Sequence, residues 1–227
     1  MSSFERKIDE LTAGAPRQRA RTYSNNGETN VNKDTVVIRK KPIMWGVPCD
    51  EVMYSRFFTD FITNAHIMPW DAFAISESTY LPKARNIIWN AFIDSSSEYL
   101  AFVDSDILFA PYMFNKLISH RLPIVSGWYR NKKGTHHPVV YDFELDTGRA
   151  WQWRHRTEAG NGIERVEGVG MGAMLVQKEA AVKIGKDPFD MEKSGEDLTF
   201  CKKLMDLNIP LHVDWNAACA HLGVQYV

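Results

Sequence analysis

Two aspartates, one residue apart, end the apolar run in Glu98-Tyr-Leu-Ala-Phe-Val-Asp-Ser-Asp-Ile-Leu-Phe109. Tyr99 to Val103 reads as a short buried strand behind the polar stretch Asp94 to Glu98. If the backbone stays extended through Asp104, Ser105 and Asp106, residues two apart face the same side and the two carboxylates converge. Converging carboxylates repel unless a cation lies between them, and hard oxygen donors suit Mg²⁺ or Mn²⁺. In an open parallel sheet, the carboxyl end of a strand is also where ligands bind. The simpler account is that Asp104 and Asp106 close a strand and open a turn. His136-His137 does not make a second metal site, because adjacent side chains of an extended segment point apart.

The elements that must position these residues follow from periodicity. Pro42 to Pro48 reads as a first core strand, and Met53, Phe57, Phe61 and Ala65 recur every four residues as one helix face. Asp71 to Ser76 is a second strand. A helix then starts near Pro82, with Ser78 or Thr79 as its cap. Its buried face is expected to carry Ala84, Ile87, Ile88, Ala91 and Phe92, leaving Lys83, Arg85 and Asn86 off it, beside the strand ends. After the aspartates come a helix opened by Pro111, a strand Pro123 to Gly127, and a polar aromatic stretch, Trp128 to His137. Val139 to Phe143 and the alternating Trp151 to Arg154 read as strands. The Gly-spaced Val166 to Val176 reads as a loop that admits a ligand to the backbone and then becomes a strand. Helices follow at Lys178 to Ile184 and from Ser194, then a last strand at Leu211 to Val213. This alternation implies an α/β fold, a mostly parallel central sheet flanked by helices.

Composition sets outer bounds. The 227 residues suit one domain, and 44% hydrophobic with 12% aromatic residues suffices for a substantial core. A net charge of -1 gives no global field toward nucleic acid or an anionic membrane. Cys49, Cys201 and Cys219 are odd in number and far apart, which favours a reducing compartment over a disulfide framework. With no signal-peptide core and no run long enough to span a membrane, the reading is a soluble cytoplasmic protein. Residues 1–34 are polar and poor in large apolar side chains, as in a flexible tail, leaving residues 35–227 as the domain.

Three blocks together resemble glycosyltransferases of the GT-A fold related to the family-2 transferases: Arg85-Asn86 ahead of Asp104-Ser-Asp106, the glycine-rich Gly170 to Val176, and Gly195-Glu-Asp-Leu-Thr-Phe-Cys201 with His221-Leu-Gly223. The resemblance covers roughly residues 36–223, about one GT-A-like domain. It implies a nucleotide-sugar donor, UDP- or GDP-linked, and a Mn²⁺ or Mg²⁺ ion that neutralises the departing diphosphate as a Lewis acid. In it, Asp106 holds the cation, Asp104 is shared between cation and ribose, Ser105 lies on the donor, and His221 resembles the third metal ligand, its alternative being an ordinary histidine near the C-terminus. Arg85, with its planar fork, suits phosphate or base, or is a solvated helix-end arginine. Pro48, Cys49 and Glu77 fall where the family's first two strand ends hold the base; the family often has aspartate at the second, so Glu77 departs from the pattern.

The resemblance makes Asp197 the candidate base and lets Glu196 hold the acceptor. Ser194-x-x-Asp197 also fits a capping box, and the two roles are compatible. Trp128 and Trp153 suit stacking on a sugar ring or a place in the core. A base at Asp197 favours inversion. The alternative functions are a sugar-phosphate nucleotidyltransferase, which would want a basic glycine-rich loop where Gly46 to Asp50 stands, and a silent sugar- or nucleotide-binding module. The acceptor, whether glycan, protein or modified nucleobase, and the oligomeric state leave no sequence mark.

Overall fold

The computed structural model describes residues 40–50, 52–78, 80–132, 136–145, 151–192 and 194–223, all within the unit Arg39–Val227. The tail expected over residues 1–34 lies outside the described residues.

The first half alternates as its periodicity predicts: β1 (Ile43–Cys49), α1 (Ser55–Asn64), β2 (Ala72–Glu77), α2 (Leu81–Asp94) and β3 (Tyr99–Val103). Next come β4 (Ile107–Leu108), α3 (Met113–Ser119), β5 (Ile124–Trp128), β6 (Val140–Leu145), β7 (Trp151–His155), β8 (Ile163–Val166) and β9 (Gly168–Val169). The chain continues through β10 (Ala173–Gln177), α4 (Lys178–Ile184), α5 (Glu196–Asp206), β11 (Leu211–Ala218) and β12 (Ala220–His221). Seven strands form the central sheet in the order β2-β1-β3-β10-β5-β11-β8. β1, β2, β3, β5 and β11 share one direction, and β10 and β8 oppose it.

β1 and β3 are buried along their whole length because both sheet faces are covered. Successive side chains therefore divide between two cores. Leu100 and Phe102 pack with Ile88, Trp89 and Phe92 of α2, Ala181 of α4 and Phe200 of α5. Tyr99, Ala101 and Val103 pack on the other face with Phe57 and Phe61 of α1 and Phe114 of α3. A β12-β4 ribbon and a three-stranded sheet β7-β6-β9 lie apart from the main sheet.

α2 corrects the predicted face. Ile87 is 49% exposed, whereas Arg85 is only 2% exposed and Trp89 is fully buried. Ser78 does not cap it: Tyr80 precedes the helix without a side-chain capping bond, and the Ser78 hydroxyl accepts the Tyr80 N–H at 3.2 Å in the turn before. Thr79 lies outside the described residues. Pro82 does sit in the first turn. No helix among the described residues is long and apolar enough to cross a membrane.

Candidate functional site

Parallel pairing brings the carboxyl ends of β2, β1 and β3 to one edge of the sheet. Pro48 lies opposite Ser76, and Cys49 opposite Glu77. Pro48 and Cys49 are buried and Glu77 is exposed, so of these three residues Glu77 presents its side chain to solvent. Burial, then the charges of Glu77 and Asp50, push the Cys49 thiol up.

At the end of β3 the backbone does not stay extended. Asp104 N–H donates to the Gly172 carbonyl at 3.1 Å, and Ile107 N–H donates to the Asp104 carbonyl at 3.0 Å, closing a turn through the half-buried Ser105 and Asp106. The extended backbone on which convergence by spacing depends is therefore absent at Asp104 to Asp106, where the alternative of a strand end and a turn is found. Each has its own basic partner. Arg85 Nη2 lies 3.1 Å from Asp104 Oδ1 and donates to Oδ2 at 3.2 Å. Asp106 instead meets Lys132, which pairs with Oδ2, and His221, whose Nε2 lies 3.5 Å from Oδ1. Burial pushes the Asp106 carboxyl up, but His221, when its ring is protonated on both nitrogens, and Lys132 outweigh it and hold the group below the usual range.

His221 reaches Asp106 because β12 pairs with β4, His221 opposite Ile107, and Leu222 N–H donates to the Asp106 carbonyl at 2.7 Å. Its Nδ1 is 3.0 Å from the Arg130 carbonyl, which can only accept, so Nδ1 carries the proton. In the neutral ring, Nε2 then turns a lone pair toward a carboxylate. Two acceptors so opposed need a proton or a cation between them. A histidine oriented by a carbonyl on its far nitrogen is also the usual arrangement of a metal ligand. The expected set of Asp104, Asp106 and His221 is only partly assembled: among the described residues, no three His, Cys, Asp or Glu side chains stand close enough to hold a metal ion. Asp104 is held on Arg85.

The Arg85 guanidinium lies between acidic groups, with Nε 3.5 Å from Glu196 Oε1, and against the Phe102 ring. Burial lowers its pKa, but Asp104 and Glu196 outweigh burial and raise it, so the charge is retained. Nε and Nη1 are nevertheless buried without a hydrogen-bond partner, as is Asp104 Oδ1, whose approach to Nη2 has the wrong angle for a hydrogen bond. Arg85 is thus neither solvated nor fully satisfied.

Asp197 stands in the first turn of α5, beside the buried Glu196. The capping box is not formed. Gly195, at φ 87°, is the cap residue and makes no side-chain bond, and Asp197 Oδ1 accepts from Leu198 N–H at 2.9 Å. Burial, then the neighbouring Glu196, push its carboxyl up to about 6, with Arg85 opposing. A carboxyl so poised suits proton transfer near neutrality.

The glycine-rich segment serves neighbours within the fold. Gly172 N–H donates to the buried Tyr129 hydroxyl at 3.0 Å, and a Cβ at Gly172 would lie 3.0 Å from Asp104 Oδ2. A Cβ at Gly170 would fall 2.2 Å from the Tyr129 hydroxyl and 2.8 Å from Val139. Gly170→Ala is expected to cost about 1–3 kcal/mol by overpacking, read as a lowered Tm; an unchanged Tm would show that Tyr129 can move aside. Trp128 belongs to the packing, since its Nε1 donates to the Trp215 carbonyl at 2.8 Å. Trp153 is half-buried in β7. Tyr129 and Lys132 carried no motif; their only mark was the polar aromatic stretch Trp128 to His137.

No protein-family model matches the sequence, and no curated protein matches it. Solved structures do share the architecture. A197 from STIV superposes with a TM-score of 0.59 at 20% identity, over 81% of this chain and 86% of that one. GalNAc-T7, crystallised with UDP, GalNAc and Mn²⁺, superposes with a TM-score of 0.55 at 11% identity, over 81% of this chain and 44% of that one. The chain therefore spans less than half the length of GalNAc-T7. At such identities the likeness establishes the fold, a GT-A-like single domain with a mostly parallel sheet.

Proposed function

We propose that the protein is a glycosyltransferase that moves a sugar from a UDP- or GDP-linked donor to an acceptor hydroxyl, with inversion. The observation that carries this reading is the opposition of His221 Nε2 and Asp106 Oδ1, 3.5 Å apart at the carboxyl edge of the sheet, both acceptors while the ring is neutral, so that either a proton or a cation belongs between them. The UDP and Mn²⁺ in the GalNAc-T7 crystal are consistent with it.

Asp106 and His221 fit a Mn²⁺ or Mg²⁺ ion, and Asp104, held on Arg85, lies on the same turn as Asp106. Such an ion, when bound, neutralises charge on the departing diphosphate. The chain's own residues do the rest. Pro48, Cys49 and Glu77 border the base, while Asp104 and Ser105 face the ribose side. Arg85 Nε and Nη1 are buried without a hydrogen-bond partner, so their N–H groups have bonds to give an anion that gains access to them. Asp197 takes the proton of the acceptor hydroxyl as that oxygen attacks the sugar, and Glu196 orients the acceptor while balancing Arg85. Lys132 pairs with Asp106 Oδ2, and a cation held by Asp106 and His221 would have to share that carboxylate with it.

Calorimetric titration of UDP and of GDP, with Mn²⁺ and with chelator, tests the reading. Binding should require the divalent ion and vanish in Asp106→Ala. Equal affinity with and without chelator, or an unaffected variant, would remove the metal assignment.

A further inference from the structure

The small sheet β7-β6-β9 has two unlike faces. Register sets Tyr141 opposite His155, and Phe143 opposite Trp153, so these residues share one face with Trp151. Their rings touch in a ladder: Tyr141 to His155 at 4.2 Å, Phe143 to Trp153 at 4.7 Å, and Phe143 stacked on Trp151 at 5.2 Å with planes 11° apart. The inner part of the ladder packs toward α5, which carries the proposed base. A Cβ on Gly168 would lie 2.8 Å from the Trp153 ring and 3.0 Å from Leu198, and the Asp197 charge, after burial, helps push the Tyr141 hydroxyl up. The outer end is open, Trp151 being 62% exposed. One face of Trp151 packs on Phe143, and the rest of this large ring is left in water.

We propose that this aromatic face is the acceptor platform and that the acceptor is a neutral oligosaccharide; this rests on the transferase reading above. A pyranose ring presents apolar C–H faces and a rim of hydroxyls, so it lies on an aromatic plane while its edge stays in water. Successive same-face strand residues advance about 7 Å, a step that lets one chain of sugars lie along several rings toward Asp197. Charge separates this ligand from single-stranded nucleic acid, which stacks on aromatic rings equally well but needs cations along its backbone. The cations of these strands are already neutralised: Arg154 pairs with Glu144 at 2.6 Å, and Arg156 with Asp142 at 2.8 Å and Glu164 at 2.7 Å.

The test titrates short neutral oligosaccharides of hexose and N-acetylhexosamine units, and separately a single-stranded oligothymidylate, into the full chain at low and high salt. Intrinsic tryptophan fluorescence and the indole N–H resonance of Trp151 report binding. At least one oligosaccharide should bind independently of salt and shift the Trp151 signal. Trp151→Ala should weaken it about tenfold, and Trp151→Phe should retain most of it. UDP titration with Mn²⁺ should be the same in both variants as in wild type. Saccharide binding undiminished in Trp151→Ala, binding of oligothymidylate alone, or no binding across the saccharide panel would each overturn the platform. Failure of wild-type protein to bind UDP or GDP, with saccharide binding intact, would instead overturn the transferase reading.

Discussion

Asp197→Asn is expected to reduce sugar transfer by roughly 10²–10⁴-fold while leaving the fold and UDP affinity in place. The amide keeps an oxygen able to accept the Leu198 N–H, now bonded at 2.9 Å, so the start of α5 loses nothing. What it loses is basicity. Donor hydrolysis, in which water stands in for the acceptor, gives the measurement before any acceptor is known. Turnover within a few-fold of wild type would refute the catalytic role and turn attention to Glu196.

The raised carboxyl adds a pH signature. Asp197 titrates near 6 in the folded chain against an ordinary value of 3.8, so the folded state holds its proton more tightly than the unfolded chain. Stability contributed by that proton is complete below 3.8 and is lost as pH rises through 6. Wild type should therefore lose some stability across this window and Asp197→Asn should not, leaving the variant at least as stable above it. Turnover moves the opposite way, rising with pH through about 6 as the base form appears. A flat rate profile there would mean that some other group accepts the proton.

Much of this arrangement was legible because it depends on local pattern. The apolar run Tyr99 to Val103 is buried throughout as β3, and the α/β alternation is the one its strands and helices spell out. Misreadings arose where distant partners decide. The apolar spacing of α2 leaves Arg85 off its buried face; a lone arginine is costly to bury, but Asp104 and Glu196, from two other elements, offset that cost. For Asp104-Ser105-Asp106 local pattern leaves two courses open, an extended run or a strand end followed by a turn, and the turn is found because Ile107 pairs with β12 from the far end of the described chain. The directions of β10 and β8 depend on long connections that local periodicity does not encode. At α5, Ser194 matched a capping pattern, yet Gly195 alone adopts the positive φ that the turn into the helix requires. His221 was marked only by the family resemblance, because nothing beside it in sequence shows that it will face Asp106.

Arg85→Met should be the most destabilising single change at the site. Methionine matches the length and apolar stem of arginine, so it opens little cavity in the space beside Phe102. It removes the one positive charge that sits within 3.1 Å of Asp104 and 3.5 Å of Glu196, leaving two carboxylates in a largely dry setting. Breaking a buried pair from one side costs about 3–5 kcal/mol, which in a domain of this size lowers Tm by on the order of 10 °C. Glu196→Gln in the same background should recover part of the loss, because it takes away one of the two stranded charges. Thermal melts of wild type, Arg85→Met and the double variant measure this; a loss below about 1 kcal/mol, or no recovery, would mean that water enters and screens the pair. Under the transferase reading the same melts carry a second result. UDP with Mn²⁺ should raise the Tm of wild type, whose Arg85 Nε and Nη1 have no hydrogen-bond partner to give up, and should raise that of Arg85→Met far less.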